Sequence, residues 1–158
     1  MNLERAIEIA VSAHKGVFDK GGNPYILHPL RVMMSLEMED EKIVGVLHDV
    51  VEDSEDWDFD KLKAEGFSDT VLDGLRAVTK FSEDEDYGAF IQRGLGNSIG
   101  RAVKIADIRD NLDVTRIGEL KDKDLQRLNK YKKYLRVLYS SNRVGGCECW
   151  HIWQRVNQ

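Results

Sequence analysis

The sequence predicts an all-α fold, a bundle of about seven or eight helices with no significant sheet, on three observations of pattern. Only two prolines occur, Pro24 and Pro29, and both fall in one short segment, so the rest of the 158 residues can be helical with few interruptions. Apolar residues recur at spacings of three and four along most of the chain. No segment sustains the strict apolar/polar alternation of a half-buried strand.

Each element follows from local signals. Leu3, Ala6, Ile7, Ala10 and Val11 form the apolar stripe of a first helix that ends near Gly16. Residues 18–27 read as a loop, because Gly21-Gly22-Asn23-Pro24 is strong turn chemistry. A second helix opens at His28-Pro29, with proline in the first turn where its missing N–H costs nothing. Asp40 is placed to cap a third helix carrying Ile43, Val44, Val46, Leu47, Val50 and Val51, apolar over so wide an arc that it belongs at the centre. Asp58–Glu65 is a short helix stopped by Gly66, and Ser68 caps the next, with Val71, Leu72, Leu75 and Val78 inward. Residues 82–86 are an acidic, solvated loop before a short helix over Tyr87–Arg93. Asn97 caps a helix that buries Ile99, Ala102, Val103 and Ala106, and Leu125, Leu128, Tyr131, Leu135 and Leu138 mark a long last helix.

Composition narrows the class. Hydrophobic residues make up 42% and charged residues 32%, which is globular rather than disordered. Acidic residues number 28 against 23 basic ones, a net charge of −5, and this argues against a coat for a nucleic-acid polymer while allowing a local basic pocket for a phosphorylated small molecule. One domain is expected over residues 1–140, with an unassigned tail at 141–158. In that tail Cys147 and Cys149 are too close for an ordinary disulfide, which points to a reducing, cytoplasmic setting. Cys147, Cys149 and His151 form a C-x-C-x-H triplet without an evident fourth partner, so it is not a complete zinc site. The N-terminus has no signal-peptide core, and no run reaches the ~18 apolar residues of a membrane span.

The chemistry concentrates in two places. In LHDVVED, an imidazole and three acids interrupt the most apolar helix, where unpaired polar groups are costly. On a continuous helix His48 shares a face with Glu52, and Asp49 with Asp53. That density suits a metal site better than a core. In VKIADIRDN, Lys104, Asp107 and Asn111 line one face of a helix, a cation, a carboxylate and an amide suited to a metal and a phosphate oxygen.

Together the stretches H-x-G at His14 and Gly16, GNPYILHP at 22–29, VLHDVVED at 46–53, VTK at 78–80 and VKIAD…N at 103–111 resemble the HD-domain hydrolases. The match is to the small, single-domain form of the RelA/SpoT-type guanosine tetra/pentaphosphate (ppGpp) hydrolases, and it covers roughly two thirds of the chain, as a shared domain would. The resemblance implies a divalent metal, usually manganese, held by His28, His48, Asp49 and Asp107. It implies that Glu52 and Asp53 position and activate the attacking water, and that Asn111 contacts the nucleotide. A metal that promotes the ionisation of water, beside a carboxylate that can take the proton, is consistent chemistry. The implied reaction removes the 3′-diphosphate of ppGpp to leave GDP or GTP and pyrophosphate. Lys20 and Lys104 are candidate phosphate contacts, each also readable as an ordinary solvated or snorkelling lysine. His14, on the apolar stripe of the first helix, reads as a satisfied packing histidine outside the ligand set, and Tyr25 as packing for the loop.

The chain departs from the family at two points. An arginine that packs on guanine is replaced by Asp19, which cannot supply that stacking, and the family's ADRLHN becomes ADIRDN at 106–111. A phosphohydrolase acting on another nucleotide or small phosphorylated metabolite, and a nucleotide-binding module without turnover, therefore stay open at this level. So do the physiological metal and assembly into a homo-oligomer. No nucleic-acid polymer and no membrane are expected as partners.

Overall fold

The computed structural model describes residues 1–140, so Cys147, Cys149 and His151 lie outside the described residues. In chain order the helices are α1 (Leu3–Ala13), α2 (Leu27–Met34), α3 (Glu39–Leu47), α4 (Val50–Asp53), α5 (Phe59–Ala64), α6 (Asp69–Val78), α7 (Tyr87–Leu95), α8 (Ser98–Asn111) and α9 (Asp122–Ser140), with a 3-10 turn at Val114–Arg116 between the last two. Eight of these have six residues or more, and α4 is a single turn. Among the described residues the only β feature is an isolated bridge, Phe18 to Pro24. The all-α expectation holds.

Side-chain caps set most of the starts. Asn2, Asp58, Ser68, Asp86 and Asn97 each accept a hydrogen bond from a first-turn amide of the helix they precede. Asp40 does not cap α3. The helix begins two residues earlier, after Met38, and Glu41 reaches back to the Met38 amide at 3.4 Å. Glu39, Asp40 and Glu41 all sit in the first turn, where the helix dipole favours negative charge.

The central helix is also interrupted. α3 ends at Leu47, and His48-Asp49 form a turn before α4. The cause is local: His48 Nδ1 bonds the Gly45 carbonyl at 2.8 Å, the acceptor that a regular helix would assign to the amide of Asp49. At Asp49 the backbone has left ideal helical geometry, with φ −100° and ψ −6°.

Ile43, Val44, Val46 and Leu47 of α3 are fully buried and anchor the main core with residues from α1, α2, α5, α6 and α8. Truncating Leu47 to Ala would cost about 2–5 kcal/mol by the usual core penalty. Gly45 permits a close approach of α2 and α3, since a Cβ there would lie 2.6 Å from Leu36 Cδ1. A smaller cluster of Ile91, Ile108 and Leu138 holds α9 against α7 and α8. The apolar stripe of α9 meets that cluster only from Tyr131 onward; Leu125 is exposed, and Arg127 in the early part of α9 lines a cavity.

Candidate metal centre

The centre forms where α2 and α8 cross the α3–α4 junction. α2 delivers His28, the junction delivers His48 and Asp49, and α8 delivers Asp107. His48 Nε2 lies 3.0 Å from Asp49 Oδ2 and 3.8 Å from Asp107 Oδ1. His28 Nε2 lies 3.4 Å from Asp107 Oδ1 and 3.8 Å from Asp49 Oδ2. An ion about 2.1 Å from each donor would separate neighbouring donors by roughly 3.0–3.4 Å, so these spacings are close to the edges of a coordination shell. His28, His48 and Asp49 each offer one ligand atom within 4.8 Å of the others, and Asp107 stands opposite them.

The donor chemistry fits a divalent cation. His48 Nε2 is buried without a hydrogen-bond partner, despite its closeness to Asp49. Both imidazoles are tied from behind through Nδ1: His48 to the Gly45 carbonyl and His28 to Asp110 Oδ2 at 2.7 Å. Each Nε2 therefore faces inward, as in metal sites where a second hydrogen bond selects the tautomer. Burial alone would raise Asp49 and Asp107, but His48 beside the first and Lys104 beside the second hold both well below the usual carboxylate range. Burial pulls His28 down, yet hydrogen bonds to Asp107 and Asp110 outweigh it and raise its pKa to about 9.

The remaining candidates surround this core. Glu52 Oε1 accepts from the Lys80 amide at 2.5 Å, and burial raises its pKa. Asp53 is half-exposed; burial, and then the Asp49 charge, push it up to about 6. Lys104 is buried, donates to Asp107 Oδ2 at 2.8 Å and lies 4.4 Å over the Phe90 ring, so its contact is with Asp107. Asn111 Nδ2 donates to Asp107 Oδ1 at 2.6 Å and also lines the adjoining cavity. That cavity, about 230 Å³, opens beside His28 and brings together Lys20, Arg116 and Arg127. Lys20 sits at its exposed rim, 3.3 Å from Asp124. Asp19 shapes the loop: its Oδ1 accepts from the amides of Gly21 and Asn23, with Gly22 at φ +79° completing the turn.

The comparisons with known proteins agree with this architecture. No family model matches the chain. It is 36% identical over 85 residues to the guanosine-3′,5′-bis(diphosphate) 3′-pyrophosphohydrolase of Aquifex aeolicus, covering 51% of this chain and 12% of that protein. It is 31% identical over 126 residues to a GTP pyrophosphokinase of Streptomyces antibioticus, covering 72% of this chain and 15% of that protein. The chain thus spans about 10–15% of the length of the curated relatives it matches. A solved structure of a metazoan ortholog of SpoT, which hydrolyzes ppGpp and plays a role in starvation responses, superposes with a TM-score of 0.68 at 20% identity, covering 98% of this chain and 92% of that one. The chain shares the fold of that structure.

Within that fold, the sequence did not single out Asp110 or the cavity cations Arg116 and Arg127, and the structure revises Tyr25 and His14. Asp110 accepts from His28, from Arg31 Nε at 2.6 Å and Nη2 at 3.0 Å, and from Arg116 Nη2 at 3.1 Å. Its signal was its position three residues after Asp107, on the same helix face. The Tyr25 hydroxyl does more than pack the loop, since it donates to Asp49 Oδ2 at 2.5 Å. His14 is buried with neither ring nitrogen satisfied, contrary to the satisfied histidine expected. No helix among the described residues is long and apolar enough to cross a membrane.

Proposed function

We propose that this chain is a divalent-metal-dependent phosphohydrolase that removes the 3′-diphosphate of ppGpp, giving GDP or GTP and pyrophosphate, with manganese as the metal. The observation that carries the reading is the pair of imidazoles with Nδ1 tied back and Nε2 facing two ionised carboxylates, beside a cation-lined cavity. His28, His48, Asp49 and Asp107 would hold the ion. When bound, it supplies Lewis-acid stabilisation of charge at the phosphoryl group and promotes the ionisation of water.

The chain's own residues do the rest. Asp53, whose pKa burial raises, accepts the proton from the attacking water, and Glu52, fixed by the Lys80 amide, orients that water. Lys20, Arg116 and Arg127 receive phosphate oxygens in the cavity. Lys104 and Asn111 hold Asp107 from two sides, and Asn111 also reaches the nucleotide from the cavity wall. A cytoplasmic setting belongs to the same proposal. The relatives support the reaction class through a pyrophosphohydrolase name and the substrate through the guanine nucleotides in the names of both.

A second reading keeps the centre and changes the substrate. Asp19 favours it: its carboxylate is committed to the loop and lies 3.7 Å from Arg116, so position 19 itself supplies no cation for stacking on guanine. One assay separates the two. Metal-stripped protein is given ppGpp with and without manganese, and GDP and pyrophosphate are followed, alongside a panel of other nucleotides. Manganese-dependent release of both products in equal amounts, faster than for the panel, is expected. Turnover only of other phosphorylated compounds would establish the second reading, and binding without any turnover would defeat both.

A further inference from the structure

His14 closes α1 as its C-cap residue, and its side chain is completely buried. Both Nδ1 and Nε2 lack a hydrogen-bond partner, a rare condition for a buried imidazole. Its Nδ1 faces Asp53 Oδ2 at 4.0 Å. Asp53 is half-exposed to water and differs from its neighbours on the protein side. Asp49, Glu52, Asp107 and Asp110 each accept a hydrogen bond from a side chain or a backbone amide. The Asp53 carboxylate accepts none among the described residues. The acid without a donor therefore faces the buried imidazole without an acceptor.

We propose that His14 is a positioning residue for Asp53: its Nδ1–H donates to the Asp53 carboxylate and holds it turned toward the centre when the metal is bound. The gap exceeds a hydrogen bond by about an ångström, which rotation of a half-exposed aspartate can close while the packed imidazole stays put. The edge of the Tyr25 ring, 5.0 Å away between centroids, helps to fix the His14 plane, and Tyr25 itself is anchored on Asp49. Burial, the largest influence, lowers the His14 pKa although the Asp49 charge opposes it. A neutral imidazole has one N–H, and the Nδ1 position facing Asp53 assigns the tautomer. Glu52 is already anchored by Lys80, so Asp53 is the acid of the pair that needs an anchor.

This inference rests on the hydrolase reading only for its kinetic arm. In the full chain with 15N-labelled histidine, loaded with zinc as a diamagnetic stand-in, His14 is expected to be neutral and protonated at Nδ1. Its Nδ1 resonance should shift in Asp53→Asn. An Nε2–H tautomer, or a resonance indifferent to Asp53→Asn, overturns the proposal. In turnover with manganese, His14→Leu should lower kcat by about 10–100-fold with KM within about twofold, as for other outer-shell partners. His14→Asn, which keeps an N–H donor near the Nδ1 position, should recover most of that loss; Asn no better than Leu overturns the positioning role. Absence of wild-type turnover would defeat the hydrolase reading, and the NMR arm would still decide the His14–Asp53 contact.

Discussion

His28 and His48 aim the same ring nitrogen at the same point, yet they are supported in different ways. At the α3–α4 junction, His48 Nδ1 bonds the carbonyl of Gly45, three residues back along the same helix. Where α2 crosses α8, His28 Nδ1 bonds Asp110, 82 positions away, and Asp110 is itself gripped by Arg31 and Arg116. The first support is made of backbone and depends on little beyond the local turn. The second is a charged network between distant segments, and one substitution can remove it. A buried charge network of this kind is costly to break because the groups left behind remain buried. The centre therefore has one robust half and one half that depends on tertiary packing.

Removing a proposed metal ligand outright should erase this contrast. His48→Ala and Asp49→Ala should each abolish metal binding and manganese-dependent turnover, read by calorimetry and product release; retained metal affinity in either variant would remove the centre from the mechanism. The contrast should be sharpest in Asp110→Asn. Metal affinity is expected to fall by about 10–100-fold, as for other outer-shell partners of ligating histidines. NMR should show a changed ring environment at His28 and an unchanged one at His48. Equal perturbation of both rings would show that the two supports are not independent.

The pH dependence follows from the same network. In the metal-free protein the His28 pKa lies at about 9, above its ordinary 6.5, so the folded state holds the proton more tightly than the unfolded one. The stability this contributes is complete below about pH 6.5 and disappears as pH rises through about 9. Thermal melts of stripped protein should decline across that window, and the decline should shrink in Asp110→Asn. At pH 7 metal binding must displace this proton, so affinity should weaken as pH falls, with proton release measurable by calorimetry in buffers of different ionisation heat. The smallest effect is expected on the local side. Gly45→Ala places a Cβ against Leu36 Cδ1, the movable end of a side chain, and should cost about 1 kcal/mol, a shift of a few degrees in Tm, with little change in metal affinity.

The legible part of the molecule was its short-range part. The capping residues Ser68 and Asn97 announced helix starts that the structure contains. The spacing of three and four in VKIADIRDN placed Lys104, Asp107 and Asn111 on one face, and in the structure they hydrogen-bond one another. The same rule failed in LHDVVED, because it assumes an unbroken helix and the His48 side chain competes for the backbone acceptor at the break. It also overstated α9, where periodicity marks an apolar face without saying where the core ends.

The sequence by itself determined an all-helical chain and the candidate donors, since propensity, caps and apolar periodicity act over a few residues. Tertiary structure alone decided what stands behind those donors. Asp110 on His28, Tyr25 on Asp49 and the unsatisfied His14 opposite Asp53 join segments 24 to 82 residues apart. No periodic pattern records such pairings, because they arise only when helices far apart in sequence pack across one another and bury polar atoms that must then find partners.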